Sequence, residues 1–152
     1  MSTQNSDLSS YDISKVPSGV HLTIGLVVSN WNEEITEGLY TGAYKTLLDC
    51  GVLSNNIKRI DVPGSFELVF GSKKMIQSGV DVVIAIGCVI KGETEHFNYI
   101  CQSVSKGIID LNINFDPPVV FCVLTDNNKQ QSIDRSGGKF GNKGVEASIT
   151  AL

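Results

Sequence analysis

The sequence DVVIAIGCVIKGETEHFNYICQSVSKGII, residues 81–109, is the stretch that decides the fold of this chain. It begins with an unbroken apolar run from Val82 to Ile86, which residues 87–90 continue. Such a run is typical of a strand that is buried on both faces of a parallel sheet. A polar turn, residues 91–95, comes next. Apolar residues then recur at the spacing of an amphipathic helix: Phe97, Ile100, Cys101, Val104 and Ile108.

His96 lies where this turn becomes the helix, close to Thr94. In open parallel sheets, ligands bind beyond the carboxyl ends of the strands. The amino end of a helix attracts anions, because its first N–H groups have no partner within the helix. A histidine at a helix start more often caps the helix or packs in the core. This position nevertheless favours an anion site with a proton-transfer group beside it.

The length of 152 residues predicts a single domain with a substantial core. The formal net charge of -4 gives no reason to expect a nucleic-acid partner. No stretch approaches the ~18 apolar residues of a membrane span. The polar, serine-rich first fifteen residues lack the layout of a secretion signal. We therefore expect a cytoplasmic protein with no membrane partner.

The four cysteines are widely spaced and form no C-x-x-C pair: Cys50, Cys88, Cys101 and Cys122. Each has apolar neighbours in sequence, so we expect buried free thiols. Two histidines and scattered cysteines do not make a ligand cluster, and we expect no metal.

Three further strands are predicted, at 21–28, 57–62 and 118–125, each followed by a helical pattern. We expect one helix with Asn32 as its N-cap, a second that begins near Phe66, and a third that is capped by Asp126 or Asn127. A loop at 136–141 then precedes a last helix. Strands that alternate with helices predict an α/β fold, a single-domain three-layer αβα sandwich around a four-stranded parallel sheet. Residues 1–18 are interpreted as a flexible N-terminal arm and 19–152 as the domain. The apolar residues of the arm would let it add a strand to a neighbouring subunit.

Three candidate residues have simple alternative roles when they are taken one at a time. Trp31 follows the first strand in a polar loop, so a ring-stacking role and core packing are about equally supported. Glu67 falls in the first turn of a helix, where it would complement the helix dipole. Arg135 alone would be interpreted as a solvent-facing charge. Neither G-x-G-x-x-G nor a P-loop pattern is present.

Taken together, four segments resemble the lumazine synthases, which catalyse the penultimate step of riboflavin biosynthesis. They are Ser29–Asn32 (SNWN), Val62–Glu67 (VPGSFE), Gly87–Phe97 (GCVIKGETEHF) and Arg135–Gly144 (RSGGKFGNKG). The pair G-x-T-x-H-F and R-x-G-x-K-x-G-N-K-G is specific, whereas any one segment is weak. The resemblance runs from about residue 19 to the end, and it implies the flavodoxin-like strand order.

The resemblance implies a transferase that works without a cofactor. It would condense 5-amino-6-(D-ribitylamino)uracil with 3,4-dihydroxy-2-butanone 4-phosphate to give 6,7-dimethyl-8-ribityllumazine, phosphate and water. His96 would be the catalytic proton carrier. The residues implied for the pyrimidine and ribityl chain are Trp31, Asn32, Ser65, Phe66, Glu67, Cys88, Val89, Ile90 and, from a neighbouring subunit, Phe121. Those implied for phosphate are Glu93, whose side chain should turn away, Thr94, Arg135 and Lys143.

The resemblance also implies a homopentamer with active sites between subunits. Residues 136–141 carry no insertion against the shell-forming pattern, so a 60-subunit shell is compatible with the sequence. A riboflavin synthase is a candidate protein partner. The alternative from another class is a non-catalytic protein of the same fold that binds a flavin or lumazine or forms a shell. An archaeal-type riboflavin synthase of the same fold is a weaker alternative. A flavodoxin-like signalling module is another weak alternative, because it would need an acidic cluster after the first strand and this sequence has none there.

Overall fold

The computed structural model describes Asp7 and residues 9–152 of the chain. In chain order the main elements are β1 (Ile24–Ser29), α1 (Glu33–Asp49), β2 (Ile57–Val62), α2 (Leu68–Gln77), β3 (Val82–Ile90), α3 (His96–Asn114), β4 (Val119–Asp126), α4 (Lys129–Arg135), β5 (Ser136–Gly138), β6 (Gly141–Asn142) and α5 (Lys143–Ala151). Short 3-10 turns lie at Ile13–Lys15, Ser54–Asn56 and Ser65–Glu67.

The first four strands form one parallel sheet in the order β2-β1-β3-β4. Ile24 of β1 pairs in register with Ile57 of β2 and with Val82 of β3. Because the amino ends are aligned in this way, the carboxyl ends of these strands meet at one edge of the sheet. The predicted α/β fold and the flavodoxin-like strand order are therefore confirmed.

Two hydrophobic layers cover the sheet. On one face, side chains of β1, β3 and β4 pack with those of α1 and α5; on the other face they pack with those of α2 and α3. The first seven residues of β3 are all buried, which explains why the strand is continuously apolar rather than alternating. The three-layer αβα arrangement predicted from the sequence is confirmed.

Several element boundaries differ from the sequence-based prediction. β1 begins at Ile24 rather than at His21, because the preceding residues form a turn in which Leu22 N donates to Gly19 O at 2.9 Å. The helix expected from Phe66 starts as a 3-10 turn and becomes α2 at Leu68. The N-cap of α4 is Asn128, whose side chain accepts from Gln131 N at 3.0 Å.

The loop predicted at 136–141 is wrong in part, because β5 and β6 form a small antiparallel hairpin there. Gly137 and Gly141 have φ of 122° and 78°, which L side chains rarely adopt, so the glycines permit the tight turn. The expected buried thiols are confirmed for Cys50, Cys88 and Cys122; Cys101 is only half-buried.

The predicted N-terminal arm falls partly outside the described residues, at 1–6 and 8. In its described part, Ile13–Lys15 forms a 3-10 turn that is capped by the Asp12 side chain. Whether the arm adds a strand to a neighbouring subunit stays a prediction. Within Asp7 and 9–152, no helix is long and apolar enough to cross a membrane.

Candidate active site

A cleft of about 740 Å³ opens beyond the carboxyl ends of β1, β2 and β3. Its walls come from the loops that follow these three strands and from the first two turns of α3. The lining residues are Trp31, Asn32, Pro63, Gly64, Ser65, Phe66, Glu67, Cys88, Val89, Ile90, Gly92, Thr94, His96, Phe97 and Ile100. This is the position at which open parallel sheets bind ligands, so the sheet topology itself places the site.

Trp31 presents its indole to the cleft from the loop between β1 and α1. Backbone bonds hold this loop against the end of β2: Asn30 N donates to Val62 O at 2.8 Å, and Trp31 N donates to Pro63 O at 3.2 Å. The backbone is therefore fixed while 72% of the tryptophan remains exposed. An exposed indole on a fixed loop offers a large flat surface for stacking. Of the two roles left open by the sequence, the structure favours stacking over core packing.

Asn32 precedes α1 as predicted, but its side chain does not cap the helix. Its φ of 62° lies in the left-handed region, which asparagine tolerates better than most residues. The side-chain amide is directed across the cleft, where Nδ2 donates to Cys88 O at 3.0 Å. This bond ties the loop after β1 to the end of β3.

Ser65 is buried in the 3-10 turn after β2, and its Oγ lies 3.5 Å from the same Cys88 carbonyl. Glu67 ends that turn and lines the cleft, and no ion pair of the described residues involves its carboxylate. The sequence alone favoured a simple dipole role for Glu67. Its position in the cleft makes the carboxylate available to accept hydrogen bonds from a ligand instead.

The Cys88 thiol is bonded to a protein side chain and is not available for chemistry on a ligand. Its Sγ donates to Ser132 Oγ at 3.4 Å, and Ser132 Oγ donates to Asp126 Oδ2 at 2.8 Å. Burial raises the pKa of the Cys88 thiol; the bond to Ser132 opposes this shift, and the charge of Asp126 adds to it. The thiol is protonated at neutral pH and is a poor nucleophile. The Cys88 thiol is therefore not a candidate nucleophile or proton carrier of the cleft.

His96 is the first residue of α3, and its side chain is exposed at the mouth of the cleft. Its backbone N donates to Thr94 Oγ1 at 3.4 Å, a long bond that places the threonine hydroxyl beside the helix start. Among the hydrogen bonds and ion pairs of the described residues, none engages the imidazole. The ring is therefore available to exchange a proton with a ligand.

Four of the predicted site residues do not line the cleft of their own chain: Glu93, Phe121, Arg135 and Lys143. Glu93 is exposed on the turn beside the cleft. Phe121 lies in the middle of the edge strand β4, with 37% of its surface exposed.

The two basic residues of this set, Arg135 and Lys143, contact nearby residues that are not part of the cleft. Arg135 ends α4, where Nη1 donates to Gln131 O at 3.0 Å and the guanidinium lies 5.2 Å from the centre of the Phe140 ring. Lys143 forms an ion pair with Glu146. Both positions are fixed by local contacts on the side of the molecule formed by α4 and α5.

Five lining residues were not among the predicted site residues: Pro63, Gly64, Gly92, Phe97 and Ile100. The first three lie within two segments that the sequence analysis assigns to the site, Val62–Glu67 and Gly87–Phe97, although they were not named individually. Phe97 and Ile100 were interpreted only as the apolar face of α3. Ile100 lies four residues after His96, and that spacing places two helical residues on the same face. The helical period could therefore have identified it.

The fold and the cleft together define an α/β protein with a ligand site at the carboxyl edge of its parallel sheet. An exposed indole, a polar wall and a free imidazole converge there from separate segments, as in an enzyme that acts on a flat, polar substrate. Comparison with known proteins identifies the family. The family model described as 6,7-dimethyl-8-ribityllumazine synthase matches residues 21–152.

Three relatives carry the same name, 6,7-dimethyl-8-ribityllumazine synthase. The protein of Flavobacterium johnsoniae is 58% identical, over 100% of this chain and 80% of its own length. That of Flavobacterium psychrophilum is 57% identical, over 100% and 81%, and that of Porphyromonas gingivalis is 51% identical, over 100% and 95%. The chain belongs to the 6,7-dimethyl-8-ribityllumazine synthase family. The resemblance stated from the sequence is confirmed, and catalysis is favoured over a non-catalytic protein of the same fold.

Proposed function

We propose that this chain condenses 5-amino-6-(D-ribitylamino)uracil with 3,4-dihydroxy-2-butanone 4-phosphate. The primary amine adds to the ketone and water leaves, which gives an imine. Loss of inorganic phosphate, attack by the ribityl-bearing nitrogen and a second loss of water give 6,7-dimethyl-8-ribityllumazine. The observation that carries this proposal is the meeting of Trp31, Glu67 and His96 in one cleft, since these residues come from three different loops.

The pyrimidine ring stacks on Trp31 in this proposal. A large aromatic side chain offers contact area at little cost in conformational entropy. Asn32, Ser65 and Glu67 line the cleft beside it, and they supply donors and acceptors for the ribityl hydroxyls and the polar ring edge. Phe66 and the strand end formed by Cys88, Val89 and Ile90 close this part of the cleft.

His96 moves protons between the amine, the ketone oxygen and the leaving water. An imidazole is the side chain best suited to take and release a proton near neutral pH. Such a general acid–base group contributes typically ~10²–10⁴-fold to the rate. Holding the amine and the ketone together is worth far more, because effective molarities of well-oriented groups reach ~10⁵–10⁸ M. Most of the acceleration is therefore assigned to the cleft and not to the imidazole.

The phosphate binds at the start of α3. The Thr94 hydroxyl and the backbone N–H groups at the turn around Glu93 are its partners from the same chain. Arg135 of a neighbouring copy adds a guanidinium, whose fork geometry suits a phosphate. This assignment to a neighbour is supported by the position of Arg135, which does not line its own cleft. Lys143 of the neighbour lies near the same phosphate, and Phe121 of the neighbour packs on the pyrimidine.

The proposed assembly is a homopentamer, and a shell of sixty subunits is its larger alternative. Large apolar side chains remain exposed on α2, α3 and β4, at Phe70, Tyr99, Ile109, Ile113 and Phe121. We assign these side chains to the contacts between subunits, where they would be buried. Analytical ultracentrifugation distinguishes the mass of one, five or sixty protomers; a monomer at assay concentration would contradict shared active sites.

The catalytic proposal is tested with the purified chain and both substrates. The expected result is lumazine fluorescence together with release of inorganic phosphate, and neither signal when one substrate is omitted. Phosphate release without the pyrimidine would show breakdown of the ketone instead. Tight binding of a flavin without turnover would favour a binding protein of the same fold.

The remaining proposals concern organisation and location. We propose 19–152 as the bounds of the domain, with 1–18 as an arm that precedes it. We also expect a cytoplasmic protein, and a riboflavin synthase is a candidate partner that would consume the product. Limited proteolysis tests the first point: cleavage should occur before residue 19 and leave the domain intact. Co-purification with a riboflavin synthase from the source cells tests the last.

A further inference from the structure

We infer that Phe97 and Ile100 form a subsite for the methyl group of the ketone substrate, and that this subsite limits the ketone to a methyl ketone. This inference rests on the proposed function, because it concerns the second substrate of that reaction. It assigns a specificity role to two cleft residues that were interpreted from the sequence as ordinary core residues of α3.

The wall of the cleft beside His96 is apolar. Ile100 lies four residues after His96 and three residues after Phe97, so its side chain is next to both on the surface of α3. All three line the cleft. Ile100 and Val89 also pack against the buried cluster between the sheet and α2 and α3. This wall therefore has a position fixed by the core, unlike an exposed side chain that could move aside.

The polar groups of the cleft lie on other elements. Asn32 belongs to the loop after β1, and Ser65 and Glu67 belong to the turn after β2. Thr94 stands at the helix start, before His96. Beyond the imidazole, the α3 wall offers only carbon atoms to a ligand. Any group that lies there must be apolar, since a polar group would lose its hydration without gaining a hydrogen bond.

Only one end of the two substrates meets this requirement. The pyrimidine has polar ring edges and a polyol chain, and the phosphate end of the ketone carries charge. The methyl group of the ketone is bonded directly to the carbonyl carbon, which must lie within reach of His96 when the amine adds to it. The methyl group therefore lies one C–C bond away from that carbon, next to Phe97 and Ile100.

The experiment compares 3,4-dihydroxy-2-butanone 4-phosphate with its ethyl homologue, 4,5-dihydroxy-3-pentanone 5-phosphate, each with the same pyrimidine. One additional methylene in a fitted apolar pocket is discriminated by about 10–200-fold. We therefore expect the wild-type chain to prefer the methyl ketone in kcat/KM by a factor in that range. Ile100→Ala should reduce the preference at least tenfold, as the enlarged space accepts the ethyl group, and should leave the KM of the pyrimidine unchanged.

Two further variants make the comparison decisive. Ile100→Val removes a single methylene and should reduce the preference by a smaller amount while keeping the fold. Leu53→Ala alters an exposed side chain that precedes β2 at the opposite edge of the sheet, and should leave the preference unchanged. An equal loss with both ketones in Ile100→Ala and Ile100→Val, or no preference in the wild-type chain, would overturn the subsite while the reaction itself stands. No turnover of the methyl ketone by the wild-type chain would overturn the proposed function, and the subsite with it.

Discussion

Two buried serines in this chain should respond oppositely to the same substitution. Ser132 Oγ donates to Asp126 Oδ2 at 2.8 Å and accepts from Cys88 Sγ at 3.4 Å. Ser72 in α2 is completely buried, and its Oγ has no hydrogen-bond partner among Asp7 and residues 9–152. A hydrogen bond to a charged group stabilises the folded state by about 1.5–3 kcal/mol, so Ser132→Ala should lower the free energy of unfolding by that amount.

Ser72→Ala removes a hydroxyl that lost its hydration on folding and gained nothing in return. Burying such a group without a partner costs about 1–3 kcal/mol. Alanine is also the better helix former by a few tenths of a kcal/mol, and Ser72 lies within α2. Ser72→Ala should therefore leave the free energy of unfolding unchanged or raise it by about 1 kcal/mol.

Denaturant unfolding followed by circular dichroism measures both effects. Assembly is linked to stability by mass action, so the wild-type chain and both variants must be compared at one protomer concentration and in one assembly state. The midpoint should fall for Ser132→Ala and not for Ser72→Ala, with equal m-values. Equal losses in the two variants, or a larger loss for Ser72→Ala, would refute the reasoning from hydrogen-bond satisfaction.

Three other predictions concern the site and the thiols. His96→Ala should lower kcat by about 10²–10⁴-fold and leave measurable turnover, and complete loss of turnover with normal substrate binding would contradict the assigned roles. His21→Ala, in the turn before β1, is the matched control and should not change kcat. Trp31→Ala should weaken pyrimidine binding by about 5–150-fold, which is the contribution of one base stacked on an aromatic side chain. Trp31→Phe should keep most of the affinity, and titration calorimetry of the pyrimidine with each variant measures the difference. Burial raises the pKa of the Cys122 thiol to about 12. The unfolded chain therefore loses this proton at a lower pH than the folded chain, and the free energy of unfolding should fall as pH rises from about 9 towards 12. Cys122→Ala should show a smaller fall over this pH range, and an equal or larger fall would contradict the prediction.

The central strand and helix could be predicted because each signal is long and has one interpretation. The nine residues of β3 and the nineteen of α3 carry unambiguous periods, and the parallel sheet follows from repeating that unit. The β5–β6 hairpin was missed because its strands have three and two residues and contain mostly glycine. Its position depends on a distant contact, from Asn142 Nδ2 to Gly38 O at 2.8 Å, which no local pattern encodes.

The cleft residues could be predicted as a set, because every loop that follows β1, β2 or β3 must reach the same edge of the sheet. What the sequence could not give is the direction of individual side chains. Asn32 was expected to cap α1, yet a left-handed backbone turns its amide towards Cys88 O. The same limit applies to Phe121 and Arg135, which lie outside their own cleft. Their proposed roles depend on where a second copy of the chain packs.

A mixed-assembly assay tests the shared active site most directly. His96→Ala and Arg135→Ala protomers are purified separately, unfolded, mixed in equal amounts and reassembled. In a ring of head-to-tail contacts, random mixing places an intact His96 beside an intact Arg135 at about one site in four. The mixture should therefore recover about a quarter of the wild-type activity, far above either variant reassembled alone. Activity that stays at the average of the two variants would show that one chain supplies both residues, or that Arg135 takes no part.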